Sequence, residues 1–285
     1  MSVRLSALTD LASSPRGHRL AWVAAGGDGR PLGTAFLWLP ATGEVAELEQ
    51  LQVHPAECRA GVGKRLLAAA AEAVIEDGKK GLLSPAVRAG SAGDAFCLAR
   101  GMRRVLALTY SRLGPAETAL DATPVDGYRL VHWDGTVPDD LAETFARARL
   151  AMDDTPMGES GYTAQTWDVE RLHAIAAAVE KRGEILCTTA AIAADGEMAG
   201  FTEVVVAGDG SGDGQHYGTG VLLAHRGRGL ARWMKIEQIA LLGVRFPQLA
   251  GLLTDCADDN TAMRRVNDVL GYRPTHRSLL YRLDL

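Results

Sequence analysis

The sequence predicts a mixed α/β protein of two similar domains in tandem, each a central twisted mixed β-sheet flanked by helices, the first of them truncated. Three features predict it: an internal repeat, strand and helix patterns that alternate in both halves, and a glycine-bearing turn that joins a strand to a helix at the same place in each half. The repeat is the clearest. "LQVHPAECRAGVGKRLL" (51–67) aligns with "TGVLLAHRGRGLARWMK" (219–235), so that Gly61 and Gly229 lie 168 positions apart. "GLLS" (81–84) returns as "GLLT" (251–254), and "LARGM" (98–102) as "DVLGY" (268–272), both at an offset of 170. Three blocks in one order at nearly one offset mark a duplicated unit.

The stretch "LGPAETALDATPVDGY" (113–128) is rich in Pro, Ala, Asp and Gly and has neither a helical nor a strand period, which is the pattern of a linker. The expected division is therefore a first domain over 1–115, a linker over 116–127 and a second domain over 128–285. The first domain opens almost at once with strands. The second opens with two amphipathic helices, "DDLAETFARARLAM" and "DVERLHAIAAAVEKRG", the latter stopping at Gly183. Strands follow at "EILCTTAAIAA" and "GFTEVVVAG", parted by the turn residues Asp195 and Gly196. The run "GDGSGDG" (208–214) reads as irregular. Beyond it come a strand, a helix from about Leu230, the strand "GLLTDCA", a helix from about Asn260 and a last strand "SLLYRLDL".

At 285 residues, with 47% hydrophobic and 23% charged side chains, the chain can bury a real core. A formal net charge of -5 argues against nucleic acid or an anionic membrane as partner and fits a cationic small molecule better. Cys58, Cys97, Cys187 and Cys256 are far apart, with no CxxC pair and no nearby His cluster, so neither zinc nor a disulfide framework is expected. Free thiols point to a reducing cytoplasm. No apolar signal region and no stretch approaching roughly 20 apolar residues is present, so a soluble, non-exported chain, monomeric or homodimeric, is expected.

The turn of the second copy, "AHRGRGLARW", puts Arg226 and Arg228 among glycines at the mouth of a helix. Unsatisfied amides and the positive end of the helix dipole favour an anion there, and glycine lets a ligand approach the backbone. A plain structural turn is the competing reading. The Walker pattern GxxxxGK[ST] fails in both copies: Cys58 stands where the first Gly belongs, and Arg65 where Ser or Thr must hold magnesium. The dinucleotide pattern GxGxxG fails too.

"RGRGLA" (226–231), with the following "TDCADDNTAMRRVNDVLGY" (254–272), resembles the [RQ]xxGx[GA] motif, strand, helix and terminal LG[FY] turn of the GNAT acyltransferases. With the internal repeat, the chain is similar to the actinobacterial tandem GNAT proteins, the group that includes mycothiol synthase. The resemblance implies acetyl-CoA as cofactor. It implies that Val221, Leu222 and Leu223 present backbone to the pantetheine, that Arg226, Gly227, Arg228, Gly229, Leu230 and Ala231 hold the pyrophosphate, and that Asn260 bonds the cofactor arm. Arg264 either reaches a phosphate or is a solvated surface residue. Cys256 stands where the family often has another Asn.

The chemistry so implied is direct transfer of acetyl from acetyl-CoA to a primary amine. It needs an exit for the ammonium proton and something to stabilise the departing thiolate. Glu203, in the strand "GFTEVVV", resembles the strand glutamate that serves as base, unless it is an edge carboxylate facing solvent; His216 is the competing base. Five residues before Tyr272, where many family members carry a tyrosine acid, stands Asn267, which can donate a hydrogen bond to the thiolate. The first copy has Cys58, Cys97 and Phe36 at the corresponding places, so it is expected to be structural or ligand-holding and not catalytic. The loop after the first helix carries Asp153, Asp154, Glu159, Tyr162 and Trp167, which suit a cationic amine, although helix capping explains the aspartates equally well. The acceptor expected is a small basic metabolite such as a peptide or amino-sugar antibiotic, in self-resistance or tailoring. Acetylation of a cysteinyl mycothiol precursor and non-enzymatic acyl-CoA sensing are the alternatives.

Overall fold

The structure, a computed structural model, describes residues 3–8, 15–114, 122–154, 158–159 and 166–285. Its contacts divide the chain into two units that are not two consecutive lengths of sequence. The first holds Met1–Leu108 and Arg277–Leu285, together with Gly158 and Glu159. The second holds the rest of the described chain up to His276.

In the first unit, β1 (Val3–Leu8), β2 (Gly17–Gly26), β3 (Pro31–Pro40) and β4 (Val45–Val53) form an antiparallel meander. Helix α1 (Val62–Glu76) then crosses over to β5 (Gly81–Leu83), which pairs parallel with β4. After β6 (Val87–Arg88) and α2 (Ala92–Ala99) comes β7 (Arg103–Leu113), whose later residues lie in the second unit. No helix precedes the meander among the described residues, as the truncated repeat predicts. The core gathers Leu37, Leu39, Leu66, Val74 and Leu82 with Leu279 and Tyr281 from the far end of the chain. Each such side chain contributes about 1.5–3 kcal/mol by leaving water.

The second unit runs β8 (Tyr128–Asp134), α3 (Asp139–Ala148), α4 (Val169–Lys181), β9 (Glu184–Ala193), β10 (Met198–Ala207), β11 (Gly212–Val221), α5 (Leu230–Arg245), β12 (Leu249–Ala257) and α6 (Thr261–Val269). It closes on the start of β13 (Arg273–Asp284), whose later part pairs with β5 and β6 of the first unit's chain. Strands β8 to β11 are antiparallel neighbours and β12 joins β11 in parallel. On one face, Phe145, Leu172, Ile192, Met198 and Phe201 pack under α3 and α4. On the other, Val204, Val206, Ile236, Leu242, Leu252 and Tyr272 pack under α5 and α6.

Two sequence expectations need correction. The first leading helix is not one helix to Met152: it ends at Ala148, and Arg149–Met152 tightens into a 3-10 turn that buries Arg149 and Ala151. The run 208–214 is not irregular throughout. It makes a tight turn at Gly210 and is already strand from Gly212, where β11 begins to pair with β12. Asp168 caps α4, accepting the Arg171 amide at 2.7 Å, so capping accounts for that aspartate.

Candidate active site at the fork of β11 and β12

The parallel pair β11 and β12 is hydrogen-bonded only from Gly212 opposite Leu249 to Gln215 opposite Leu253, and there the register ends. Just beyond, β11 carries a bulge: Glu203 faces Gly218 and Val204 faces His216, leaving Tyr217 without an opposite residue. A bulge adds twist and turns a strand away from its neighbour, so the pair opens as a fork. The first unit repeats the device, with β4 and β5 paired only over Val45–Glu47 and a bulge at Phe36/Leu37.

At the end of β11 the chain makes a 3-10 turn over Leu223–His225, passes Arg226 in extended conformation, and takes φ 75° at Gly227 and φ 89° at Gly229, the N-cap of α5. No side chain caps that helix, so its first-turn amides face the loop. A left-handed residue other than glycine costs roughly 1–2 kcal/mol, which explains the glycines. The first unit builds the same loop: a 3-10 turn over Pro55–Glu57, extended Cys58, φ 67° at Arg59 and φ 85° at Gly61.

The two arginines differ in what they do. Arg226 folds back, donating from Nε to the Val221 carbonyl at 2.8 Å and from Nη2 to Asp154 at 2.9 Å, so it braces the loop. Arg228 is exposed and, with Gly229, Arg232, Trp233 and residues 123–126, lines a groove of about 370 Å³. Leu222 and Leu223 form the bend, Leu230 is buried beneath the helix and Ala231 stands in its first turn. Asn260 caps α6, accepting the Met263 amide at 3.1 Å, and the Arg264 side chain is exposed and bonded to the Asp258 carbonyl. The Cys256 thiol is buried, which pushes it up to about 11.

Glu203 lies on neither an edge strand nor an open cleft wall. It is 1% exposed on β10, between β9 and β11, and Arg149 Nη2 donates to both of its oxygens at 2.6 Å. The Arg149 guanidinium lies over the rings of Trp167, Phe201 and Phe145, at 4.6, 4.6 and 5.0 Å. Burial raises the Glu203 carboxyl above its usual range, and Arg149 opposes that rise.

On the opposite face of the sheet, His216 is buried rather than superficial. It shares a 2.6 Å hydrogen bond with Tyr272 Oη, and burial, aided by Lys235, drives it well below its ordinary value. Lys235 Nζ donates to Asn267 Oδ1 at 3.0 Å, which turns the Asn267 amide donors away from the lysine.

The expected acceptor residues are scattered. Asp153 follows the 3-10 turn with a buried Oδ1, Asp154 is held by Arg226, and Trp167 carries Arg149 and Arg171 over its ring. Glu159 pairs with Arg103 in the first unit, and Tyr162 lies outside the described residues. Sequence reasoning missed Arg149 and Lys235. The signal for Lys235 was present, because the repeat sets it opposite Leu67 in a buried helical stripe. Arg149 sits 54 residues from its partner and had none.

Among the described residues no group of His, Cys, Asp or Glu could hold a metal ion, and no helix is long and apolar enough to cross a membrane. Residues 4–90 match the model of the acetyltransferase (GNAT) family, so the match falls on the copy whose motif is the less regular. No curated protein sequence matches the chain. Among solved structures it is similar to a tandem GNAT protein from the clavulanic acid biosynthesis pathway. That similarity is 26% identity over 96% of this chain and 85% of that one, with a TM-score of 0.76. It also shares its fold with a GCN5-related N-acetyltransferase from Sphaerobacter thermophilus, at 18% identity over 93% and 80% of the two chains and a TM-score of 0.67. The chain thus has the tandem GNAT fold, a fold that supports acyl transfer, and the GNAT family that residues 4–90 match generally uses acetyl-CoA.

Proposed function

We propose that the second unit transfers an acetyl group from acetyl-CoA directly to the primary amine of a small basic metabolite. The observation that carries the proposal is the fork of β11 and β12 ending in the uncapped N-terminus of α5, with glycines at φ 75° and 89° and the exposed Arg228 beside it. Such a place takes a pyrophosphate, and β11 has no rung with β12 past Gln215, which leaves that edge of the strand to an amide-bearing arm. In this reading the Val221 amide serves that arm, since both backbone groups of Leu222 are already bonded, to the Ala199 carbonyl and the His225 amide, residues 226–231 hold the phosphates, and Arg226 acts through the loop it braces. Acetyl-CoA supplies the activated acyl group. Glu203 is the better of the two candidate bases, since burial raises it towards neutrality while His216 is driven down, and Asn267 donates to the departing sulfur. A cationic acceptor fits the groove of about 470 Å³ between α3 and α4, where Glu143, Asp168, Glu170 and Trp167 line the wall and the lining cation, Arg147, is paired with Glu197. The similarity to a protein of a biosynthetic pathway for a small natural product supports a metabolite as acceptor, antibiotics included. Four free thiols fit a cytoplasmic protein.

Calorimetric titration with acetyl-CoA tests the cofactor site. The expected result is a site in the second unit lost or weakened at least about tenfold in Arg228→Ala and in Gly229→Val, which must strain its φ. Unchanged binding in both variants would move the cofactor elsewhere. A second reading, an acyl-CoA-binding regulator, is favoured by the engagement of both candidate bases, Glu203 by Arg149 and His216 by Tyr272. Release of free CoA on adding an amine, followed with a thiol reagent, supports the enzyme; binding without release supports the regulator.

A further inference from the structure

The two copies of the repeat close the space behind their forks differently. In the first, Leu48 on β4, Leu67 on α1, Cys97 on α2 and Met102 after it are all buried and belong to one apolar core. At the same places the second has His216, Lys235, Asn267 and Tyr272, all buried as well, with Cys256 of β12 beside them. The correspondence follows both the repeat and the bonding, since the Met102 amide reaches Cys97 as the Tyr272 amide reaches Asn267. The first unit shows that the fold needs no polar group there.

Lys235 is the costliest member of the set. Its side chain is 1% exposed, its hydrogen bond goes to neutral Asn267, and its ammonium lies 4.9 Å from the centre of the Tyr272 ring. The groups facing it are His216 from β11, Cys256 from β12, and Asn267 and Tyr272 from α6 and the turn after it; no carboxylate pairs with it among the described residues. A buried ammonium without a counter-anion opposes folding, so its presence calls for an anion that arrives later. Its place fits one. His216 is the first residue of β11 past the last rung with β12, so the cluster lies directly behind the point where the strands part.

We infer that Lys235 is the cationic group that receives the negative charge left on the sulfur of CoA, with Asn267 holding the ammonium in position. The inference rests on the acyl-transfer reading of the second unit. When the carbon–sulfur bond breaks, its electron pair stays on sulfur. Lys235 either pairs with that anion or gives it one proton and is reprotonated from solvent, while the proton lost by the acceptor nitrogen leaves separately through Glu203. Burial lowers the lysine to about 7, so it exchanges a proton readily.

The test uses CoA with its free thiol, Lys235→Leu, which copies the first unit's own solution, and Lys235→Met. The thiolate absorbance of the bound CoA is followed against pH. In the wild type the bound thiol is expected to ionise well below the free one, and in both variants roughly ten- to a thousandfold less readily at a given pH. A first-unit site, if it binds, contributes equally to all three proteins. Identical ionisation in wild type and variants, with CoA bound in each, would overturn the role of Lys235 and leave acyl transfer standing. Failure of the wild type to bind CoA would bring down both.

Discussion

Glu203 and Arg149 form the kind of pair in which structure and chemistry are easily confused. Removing one partner of a buried ion pair leaves an uncompensated charge and costs about 3–5 kcal/mol, whereas replacing both by apolar groups is often nearly neutral. Arg149→Met should therefore lower stability by about that amount in denaturant unfolding, and Arg149→Met with Glu203→Leu should restore most of it. Acetyl transfer should be lost in the double variant; transfer that persists there would exclude Glu203 as the base. Lys235 makes a separate prediction through its proton. Its folded value, about 7, lies below the ordinary lysine value of about 10.4, so between the two the unfolded chain holds a proton that the folded one does not. Stability contributed by this group is accordingly least below pH 7 and rises as pH climbs from about 7 towards 10. Lys235→Leu should remove that slope and raise stability at pH 7 by about 1–4 kcal/mol, and a melting curve series across pH would show it. A variant less stable than wild type at pH 7 would mean that the ammonium is paired in the folded state. The sequence marked Glu203 as a candidate base, but not what satisfied it, because an ion pair 54 residues long leaves no local pattern.

Elements were the more legible scale. Amphipathic period and caps located α4 closely, and the repeat located α5 and the loop before it, since strand, turn and helix are each written in consecutive residues. The loop shows what the repeat carries beyond residue identity. Cys58 replaces Arg226 and Arg59 replaces Gly227, yet both loops take one extended residue followed by left-handed φ at two positions. Arg59 holds φ 67° without the freedom of glycine, so the backbone path is imposed by the 3-10 turn before it and the helix after it. Conformation in the first unit is thus kept where the charge of the motif is not. The fork itself was not legible: whether two parallel strands stay paired depends on a bulge, and the bulges at Phe36/Leu37 and Glu203/Val204 follow from pairing register rather than from composition.

At the scale of the molecule the sequence suggested two consecutive domains, and the contacts instead exchange chain ends between units. The first copy ends with β7 and the second with β13, and both are long strands after an equivalent turn, so nothing local says with which sheet each must pair. The structure gives Arg277–Leu285 to the first unit, where Leu82 and Leu83 of β5 pair with Leu283 and Arg282, Leu279 and Tyr281 enter the core, and the Tyr281 hydroxyl donates to Asp94. The first unit is therefore incomplete until the whole second repeat has been made. Deleting 277–285 should consequently damage the copy at the other end of the sequence. Loss of the Tyr281 side chain alone is worth about 3–5 kcal/mol by analogy with large aromatic truncations, a large share of the roughly 5–15 kcal/mol that holds a domain folded. Hydrogen exchange on a chain ending at His276 should show protection lost in β3, β4 and α1 while β9 and β10 of the second unit keep theirs. Protection retained in β3 and β4 would mean that the first unit folds without its borrowed strand, and that the exchange of ends serves something other than its stability.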